Sequence, residues 1–156
     1  MACSFERIRL LEGRSVSWWT LTQAKITEYV AVKVSEVGFA DENGLEGLVQ
    51  LKADGGNGFA MRAFSGETAM HMSRFVRGDR SSVPSIYNMI EEFAEKGGVH
   101  LAGIEVYPSG NVLRSDLQFL GKGKEMLLRG YRASDAIAIA LFYEAPILLH
   151  RSLLEQ

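Results

Sequence analysis

The chain has 156 residues, which is enough for one domain with a substantial hydrophobic core. Apolar residues make up 47% of the chain and charged residues 23%, the balance of an ordinary soluble globular domain. The net charge of −2 excludes the strongly basic proteins that bind nucleic acid over most of their surface, although a local basic patch is compatible with that charge.

The sequence carries no sign of membrane insertion or secretion. No apolar run has the length of a membrane span. Glu6, Arg7 and Arg9 interrupt the region where a secretory signal needs apolar residues. The single cysteine, Cys3, excludes an intrachain disulfide. The sequence therefore predicts a cytoplasmic protein that does not enter the membrane.

Residues 1–28 are predicted to form an N-terminal extension ahead of a single domain over residues 29–156. The neighbouring Trp18 and Trp19 form too apolar a pair to stay in water without a contact. This extension could cap the core, act as a dimer arm or be poorly ordered.

The domain is predicted to begin with three strands. Valines alternate with other residues from Val30 to Val34, which is the period of a half-buried strand. Residues 48–53 and 59–64 are also typical of strands, and a glycine-rich loop over residues 54–58 joins them. Because strands flank that loop on both sides and no helix begins at it, a hairpin turn explains it better than a phosphate-binding loop.

The first helix carries a candidate pair of functional residues. Ser65 can cap a helix that runs to about Arg77, where Gly78 provides a stop. Glu67 and His71 lie four residues apart and therefore share a face of this helix. A carboxylate and an imidazole at that spacing could ligate a metal ion or exchange a proton. A first-turn acid beside a partly buried histidine is the commoner explanation of such a pair.

A second helix is predicted to begin with Pro84 in its first turn, where the missing N–H does no harm. Ile86, Met89, Ile90 and Phe93 form an apolar stripe with helical spacing. We expect this stripe to face the core, opposite glutamates that face solvent. Two glycines then end the helix.

Three more strands are predicted over residues 99–107, 112–120 and 125–131, joined by two hairpin turns. The region around them carries five cations, at Arg114, Lys122, Lys124, Arg129 and Arg132. These cations could form a nucleic-acid surface. Because acidic residues are interleaved with them, a solvated sheet face is the favoured alternative.

A buried helix is predicted near the end of the chain. Ser134 can cap it, and Asp135 places a negative charge at the positive end of its dipole. The following residues are apolar on every side of the helix. We therefore expect Ile137, Ile139 and Leu141 to be inaccessible to solvent.

The end of that helix is set by Pro146, which prevents it from continuing. Residues 147–149 are then typical of a short buried strand. Residues 151–156 are predicted to be a frayed tail.

This region also resembles a known family. The run Arg132-Ala133-Ser134-Asp135-Ala136-Ile137, followed after an apolar helix by Ala145-Pro146-Ile147, is similar to the signature of the bifunctional nuclease domain family. The resemblance runs from about Val30 to Leu154, with a similar order of elements throughout. Glu67 matches the glutamate that the family has at the start of its first core helix.

The resemblance implies a fold, an assembly and an activity. The fold is α+β, with a mixed, mainly antiparallel sheet or partial barrel of about six to seven strands and three main helices packed against it. The assembly is a homo-oligomer, either a dimer or larger. The activity is cleavage of phosphodiester bonds in RNA and DNA.

The resemblance also implies the site residues. Glu67 and Asp135 would hold a divalent metal ion or position a water molecule. Arg132 would hold phosphate, or pair with one of these acids to lock the helix. The sequence leaves the identity of such a metal open. His71 is a further candidate for proton transfer.

Four positions, in three places along the chain, depart from the family pattern. The second core helix of the family commonly reads Arg-Pro-Leu-Thr-His-Asp, and here Tyr87 and Asn88 replace the histidine and the aspartate. Gly130 replaces an aspartate that often precedes the motif arginine, and Ala133 replaces a proline. These changes favour a second hypothesis, a non-catalytic oligomeric binding or regulatory module of the same fold. In that module Asp135 would serve only to stabilise its helix.

Overall fold

The computed structural model describes residues 27–154, which form a seven-stranded sheet and three α-helices. The strands are β1 (Tyr29–Phe39), β2 (Glu46–Ala53), β3 (Gly58–Ser65), β4 (Val99–Ser109), β5 (Val112–Gly121), β6 (Lys124–Arg132) and β7 (Ile147–His150). The helices are α1 (Gly66–Val76), α2 (Ile86–Lys96) and α3 (Ala133–Tyr143). The predicted α+β fold is confirmed, and the sheet is open rather than closed into a barrel. Trp18 and Trp19 of the predicted N-terminal extension lie outside the described residues.

The strand order is β3-β2-β1-β7-β4-β5-β6. Two antiparallel meanders, β1–β3 and β4–β6, are joined through β7, which pairs antiparallel with β1 and parallel with β4. Ile147 of β7 lies opposite Val32 on one side and opposite Ile104 on the other. The predicted short buried strand is therefore confirmed, and it forms the centre of the sheet.

Helix α1 begins and ends where the sequence predicts. Ser65 is its N-cap, and the backbone N–H of Thr68 donates to the Ser65 hydroxyl at 3.4 Å. Gly78 has a φ of +83°, a left-handed conformation that glycine adopts without strain and that stops the helix. The buried side chains of α1 pack on β1, β2 and α3.

Helix α3 is the most buried helix among the described residues. Ala136, Ile137, Ala138, Ala140 and Phe142 have no solvent-exposed surface. This confirms the buried helix that its apolar composition predicts.

Two of the three α3 side chains expected to be inaccessible are not. Ile137 is fully buried, whereas Ile139 and Leu141 are half-buried and pack at the margin of the core. The prediction is wrong for these two because an apolar residue on a helix need not be covered on its outer side.

The start of α3 also differs from the prediction. Arg132 is the N-cap residue, because β6 runs directly into the helix, and Ser134 lies buried in the first turn. Pro84 likewise lies outside α2 rather than in its first turn, since α2 begins after Ser85. There Asn88 Oδ1 accepts hydrogen bonds from both the backbone N–H and the hydroxyl of Ser85.

Most of the apolar stripe of α2 does not face the core. The exposed fraction is 54% for Ile86, 47% for Met89 and 69% for Phe93, whereas Tyr87 and Ala94 point inward. The helical period correctly identifies an apolar face, but that period carries no information about what covers the face. The core-facing prediction is therefore wrong for these three residues, whereas Ile90, the fourth of the stripe, is half-buried and packs against the core.

The C-terminal residues are more ordered than predicted. A short 3₁₀ helix spans Arg151–Leu153, and Leu153 is buried in the core, so the frayed tail does not begin at residue 151. Among the described residues, no helix combines the length and the apolar character needed to cross a lipid bilayer.

Candidate functional site

The junction of β6 and α3 holds the motif residues Arg132 and Asp135. The Nε of Arg132 lies 3.7 Å from Oδ2 of Asp135, and the two side chains remain 61% and 45% exposed. Asp135 stands in the first turn of α3, where the helix dipole favours a negative charge. The two residues therefore form an ion pair that solvent and a large ligand can reach.

Glu67 occupies the matching position in α1. It stands exposed in the first turn of that helix, and α1 packs against α3. The start of α1 lies close to the β1–β2 connection, and only a glycine fits at position 66. A Cβ atom there would lie 1.9 Å from the carbonyl oxygen of Gly44. The backbone N–H of Gly66 donates to the carbonyl oxygen of Leu45 at 2.9 Å. The start of α1, and with it Glu67, is thereby held against the sheet.

Tyr87 of α2 is buried within the electrostatic range of both carboxylates. It is 7% exposed, and burial raises the pKa of its hydroxyl to about 12, with the nearby charges of Asp135 and Glu67 adding to the rise. The charges of both carboxylates, one from each of the other two helices, therefore act on this side chain of α2. Because the hydroxyl stays protonated at neutral pH, Tyr87 can donate a hydrogen bond but cannot act as a base.

His71 lies beside Tyr87 in an aromatic cluster. The His71 and Tyr87 ring centroids are 5.2 Å apart, and the rings of Phe75 and Phe142 complete the cluster behind them. The Nδ1 atom of His71 is buried and has no hydrogen-bond partner among residues 27–154. The structure thus brings His71 next to the same tyrosine that senses Glu67 and Asp135.

Arg80, which sequence analysis did not single out, covers this aromatic cluster from the loop before α2. Its guanidinium carbon lies 4.4 Å from the centre of the Phe142 ring, a cation–π distance, and its Nη2 lies 2.6 Å from Glu91 Oε1. Asn88 fixes the backbone of this loop by donating to the Arg80 carbonyl oxygen at 3.0 Å. Nothing in the local sequence distinguishes Arg80 from the other cations of the chain.

The site offers few carboxylates for a metal ion. In the part of the chain that the structure describes, no group of three or more His, Cys, Asp and Glu side chains is arranged to hold a metal ion. A metal site here would therefore rest on two carboxylates, Glu67 and Asp135. A pair of carboxylates is nevertheless a usual protein contribution to a Mg²⁺ site, which takes its remaining ligands from phosphate and water.

The predicted group of five cations does not form one patch. Arg114 lies opposite Arg132 at one end of the β5–β6 ladder, whereas Lys122 and Lys124 lie at the hairpin at its other end. Lys124 Nζ donates to the carbonyl oxygen of Gly97, at the end of α2, at 2.9 Å. Of these cations, Arg132 is the one paired with an acid of the candidate site.

The chain was also compared with known proteins. No protein-family model matches it, and no curated protein sequence matches it either. The likeness to the bifunctional nuclease family accordingly rests on the motif residues Arg132, Ser134 and Asp135 and on the position of Glu67.

Proposed function

We propose that this chain is a bifunctional-nuclease-like domain that cleaves phosphodiester bonds of RNA and DNA in the cytoplasm. The observation that carries the proposal is that the charges of two carboxylates act on one buried tyrosine. Glu67 and Asp135 begin two packed helices, and both of their charges act on Tyr87. Perturbed ionisation beside paired acids is typical of catalytic sites.

Arg132 supplies the phosphate-binding group of this site. The guanidinium of Arg132 is largely exposed, and a long ion pair holds it beside the carboxylate of Asp135. Guanidinium groups bind phosphate oxygens through paired, charge-assisted hydrogen bonds. A phosphodiester can therefore take the place of Asp135 as the partner of Arg132. That exchange leaves the carboxylate of Asp135 beside the reacting phosphorus.

Glu67 and Asp135 have a second role in this proposal, as ligands of a divalent cation. Two carboxylates fit Mg²⁺, which commonly binds proteins through one or two such groups and substrate phosphate. When bound, the ion would stabilise charge on the phosphate and lower the pKa of a coordinated water. Tyr87, whose pKa of about 12 keeps it protonated, can donate a hydrogen bond to a phosphate oxygen.

The proposal is tested by cleavage of a labelled RNA and a labelled single-stranded DNA, with and without a chelator. We expect Glu67→Gln and Asp135→Asn each to reduce cleavage by about a hundredfold or more, with the fold intact by circular dichroism. Arg132→Ala should mainly weaken substrate binding and reduce the slope of its salt dependence by about one.

Matched controls separate these effects from a general change of charge. Asp54→Asn in the β2–β3 hairpin and Arg62→Ala on β3 remove exposed charges away from the helix starts. Both variants should cleave like the parent. Cleavage that persists in Glu67→Gln and in Asp135→Asn would refute the assignment of the site.

The second candidate function is an oligomeric binding module without catalysis. The exposed apolar face of α2 favours it, because such a face is typical of a surface that another molecule covers. A parent protein that binds RNA or a second copy of itself but cleaves neither RNA nor DNA, in any divalent metal tested, would support this candidate over the first.

A further inference from the structure

Strand β6 is an exposed edge of the sheet. It pairs with β5 on one side, and no described strand lies on its other side. Eight of its nine residues are exposed, and the ninth is half-buried. The exposed residues include two apolar ones, Met126 at 42% and Leu127 at 38% exposure. Edge strands with apolar residues are templates for pairing with another chain unless something covers them.

The sequence of β6 is self-complementary about Leu127. In an antiparallel pair of two β6 strands centred on this residue, Glu125 of each copy would lie opposite Arg129 of the other, where the bulge of β6 opposite Asp116 begins. Met126 lies opposite Leu128 in the same register, and Leu127 lies opposite itself. Opposite charges and matched apolar residues at facing positions are the pairs that stabilise a sheet. A register centred on Met126 instead places Glu125 opposite Leu127. A register centred on Leu128 places Arg129 opposite Leu127 and the like charges of Lys124 and Arg132 opposite each other.

The two faces of the sheet support the same register. Leu127 lies opposite Gln118, and the amide of Gln118 donates to Glu125 Oε1 at 3.0 Å, so these residues share the face without helices. Met126 lies opposite the buried Phe119 and therefore faces the helices. The charge pairs would thus form on the open face and the Met126–Leu128 pairs on the apolar side.

That apolar side continues into a groove between β6 and α2. The groove has a volume of about 680 Å³, and apolar side chains form much of its lining, among them Ile90, Phe93, Val99, Phe119, Met126 and Leu128. The exposed stripe of α2 borders it, with Phe93 being 69% exposed. A second copy placed on β6 would therefore lie against the groove and Phe93.

We propose that two copies of this chain associate through their β6 edges, around a two-fold axis at Leu127. The contact is isologous, because the same surface of each copy meets the other. It joins two seven-stranded sheets into one continuous sheet. Glu125 and Arg129 fix the register, and Met126, Leu128 and Phe93 supply the apolar contact. This interface does not depend on the proposed nuclease activity.

A charge exchange tests the register. By sedimentation equilibrium we expect the parent to form a dimer, and Glu125→Arg or Arg129→Glu to raise the dissociation constant about tenfold or more, because each creates two like-charged pairs. The double variant Glu125→Arg/Arg129→Glu should return to within about threefold of the parent, since it restores both attractions in reverse. All these side chains are exposed, and circular dichroism checks that the variants fold.

A disulfide tests the axis. Residues facing each other in an antiparallel pair have Cα atoms about 4.5–5.5 Å apart, within reach of a disulfide. In a Cys3→Ser background, Leu127→Cys should form a covalent dimer under mild oxidation much faster than the matched control Leu45→Cys, which is also exposed but lies before β2.

Three results would overturn the proposal. They are a parent that stays monomeric at micromolar concentration, a dimer that is unchanged in both single charge variants, and equal cross-linking of Leu127→Cys and Leu45→Cys.

Discussion

Arg132 and Asp135 stand one helical turn apart, with 3.7 Å between Nε and Oδ2, at the point where an edge strand becomes the most buried helix among the described residues. Exposed ion pairs of this kind contribute about 0–1 kcal/mol to the free energy of unfolding. Stability therefore does not explain the presence of an arginine and an aspartate at these two positions. Binding of a ligand by the two side chains would explain it.

We expect Asp135→Asn to lower the free energy of unfolding by about 1 kcal/mol or less. The variant loses the exposed ion pair and the interaction of a negative charge with the helix dipole, both small terms. Urea denaturation at neutral pH measures the change. A loss of several kcal/mol would mean that Asp135 holds the fold together, and any loss of cleavage in this variant would then have a structural cause.

Two isoleucines of α3 should differ in their contribution to stability. Ile137→Ala removes a side chain with no exposed surface and should cost about 2–5 kcal/mol, because a cavity remains. Ile139→Ala removes a half-buried side chain and should cost about 1–2 kcal/mol. Because both positions carry the same residue in the same helix, the helix propensity term is equal. Equal losses in urea denaturation would contradict the burial described for α3.

Asp79 should make the domain sensitive to acid. Hydrogen bonds from the hydroxyl and backbone N–H of Ser82, and then from Arg74, hold the pKa of this carboxyl well below its ordinary value of 3.8. A depressed pKa stabilises the folded state above the unfolded pKa, and this contribution is lost as pH falls through the folded pKa. Asp79→Asn should therefore reduce stability more at pH 6 than at pH 3.

Denaturation of the parent and Asp79→Asn at these two pH values measures the difference. Ser82→Ala removes the hydroxyl donor and should reproduce part of the effect. A difference between parent and Asp79→Asn that is the same at pH 3 and pH 6 would contradict the role of these hydrogen bonds.

Tyr87→His tests whether the site lacks only a base. It places an imidazole between Glu67 and Asp135, where the tyrosine hydroxyl stays protonated because its pKa is about 12. A histidine can exchange protons near neutral pH. If the chain is a nuclease, we expect this variant to cleave faster than the parent at neutral pH, with a new ionisation in its pH profile. Tyr87→Phe is the control that removes the hydroxyl without adding a base, and an equal rate for both variants would count against the site.

Much of the fold could be predicted from local sequence patterns. The seven strands and three helices follow from alternating residues, turn glycines and the Ser65 cap, because these features act over a few residues. The predicted helix starts at Pro84 and Ser134 were wrong by one or two residues. The start of α2 is set by the cap that Ser85 and Asn88 form, and α3 begins directly where β6 ends.

The composition of the candidate site, and which face of each helix is buried, were less predictable. Glu67 and Asp135 could be named from the motif, but the role of Tyr87 depends on how α2 packs against two other helices. The outward stripe of Ile86, Met89 and Phe93 had the same period as a core-facing stripe. Period fixes which residues share a face, whereas only the assembled sheet and its neighbours decide whether that face meets water.

The position of β7 between the two meanders determines when the sheet can be completed during translation. A ribosome releases β1 to β6 before it releases residues 147–150, so both strands that flank β7 wait for their common neighbour during translation. In that interval the edges of β1 and β4 that later pair with β7 are open to a wrong partner, including another nascent chain. The contact of Tyr29 with His150 links nearly opposite ends of the described chain, and such distant pairings form slowly. We therefore expect the nascent protein to depend on chaperones until these last four residues of the sheet emerge.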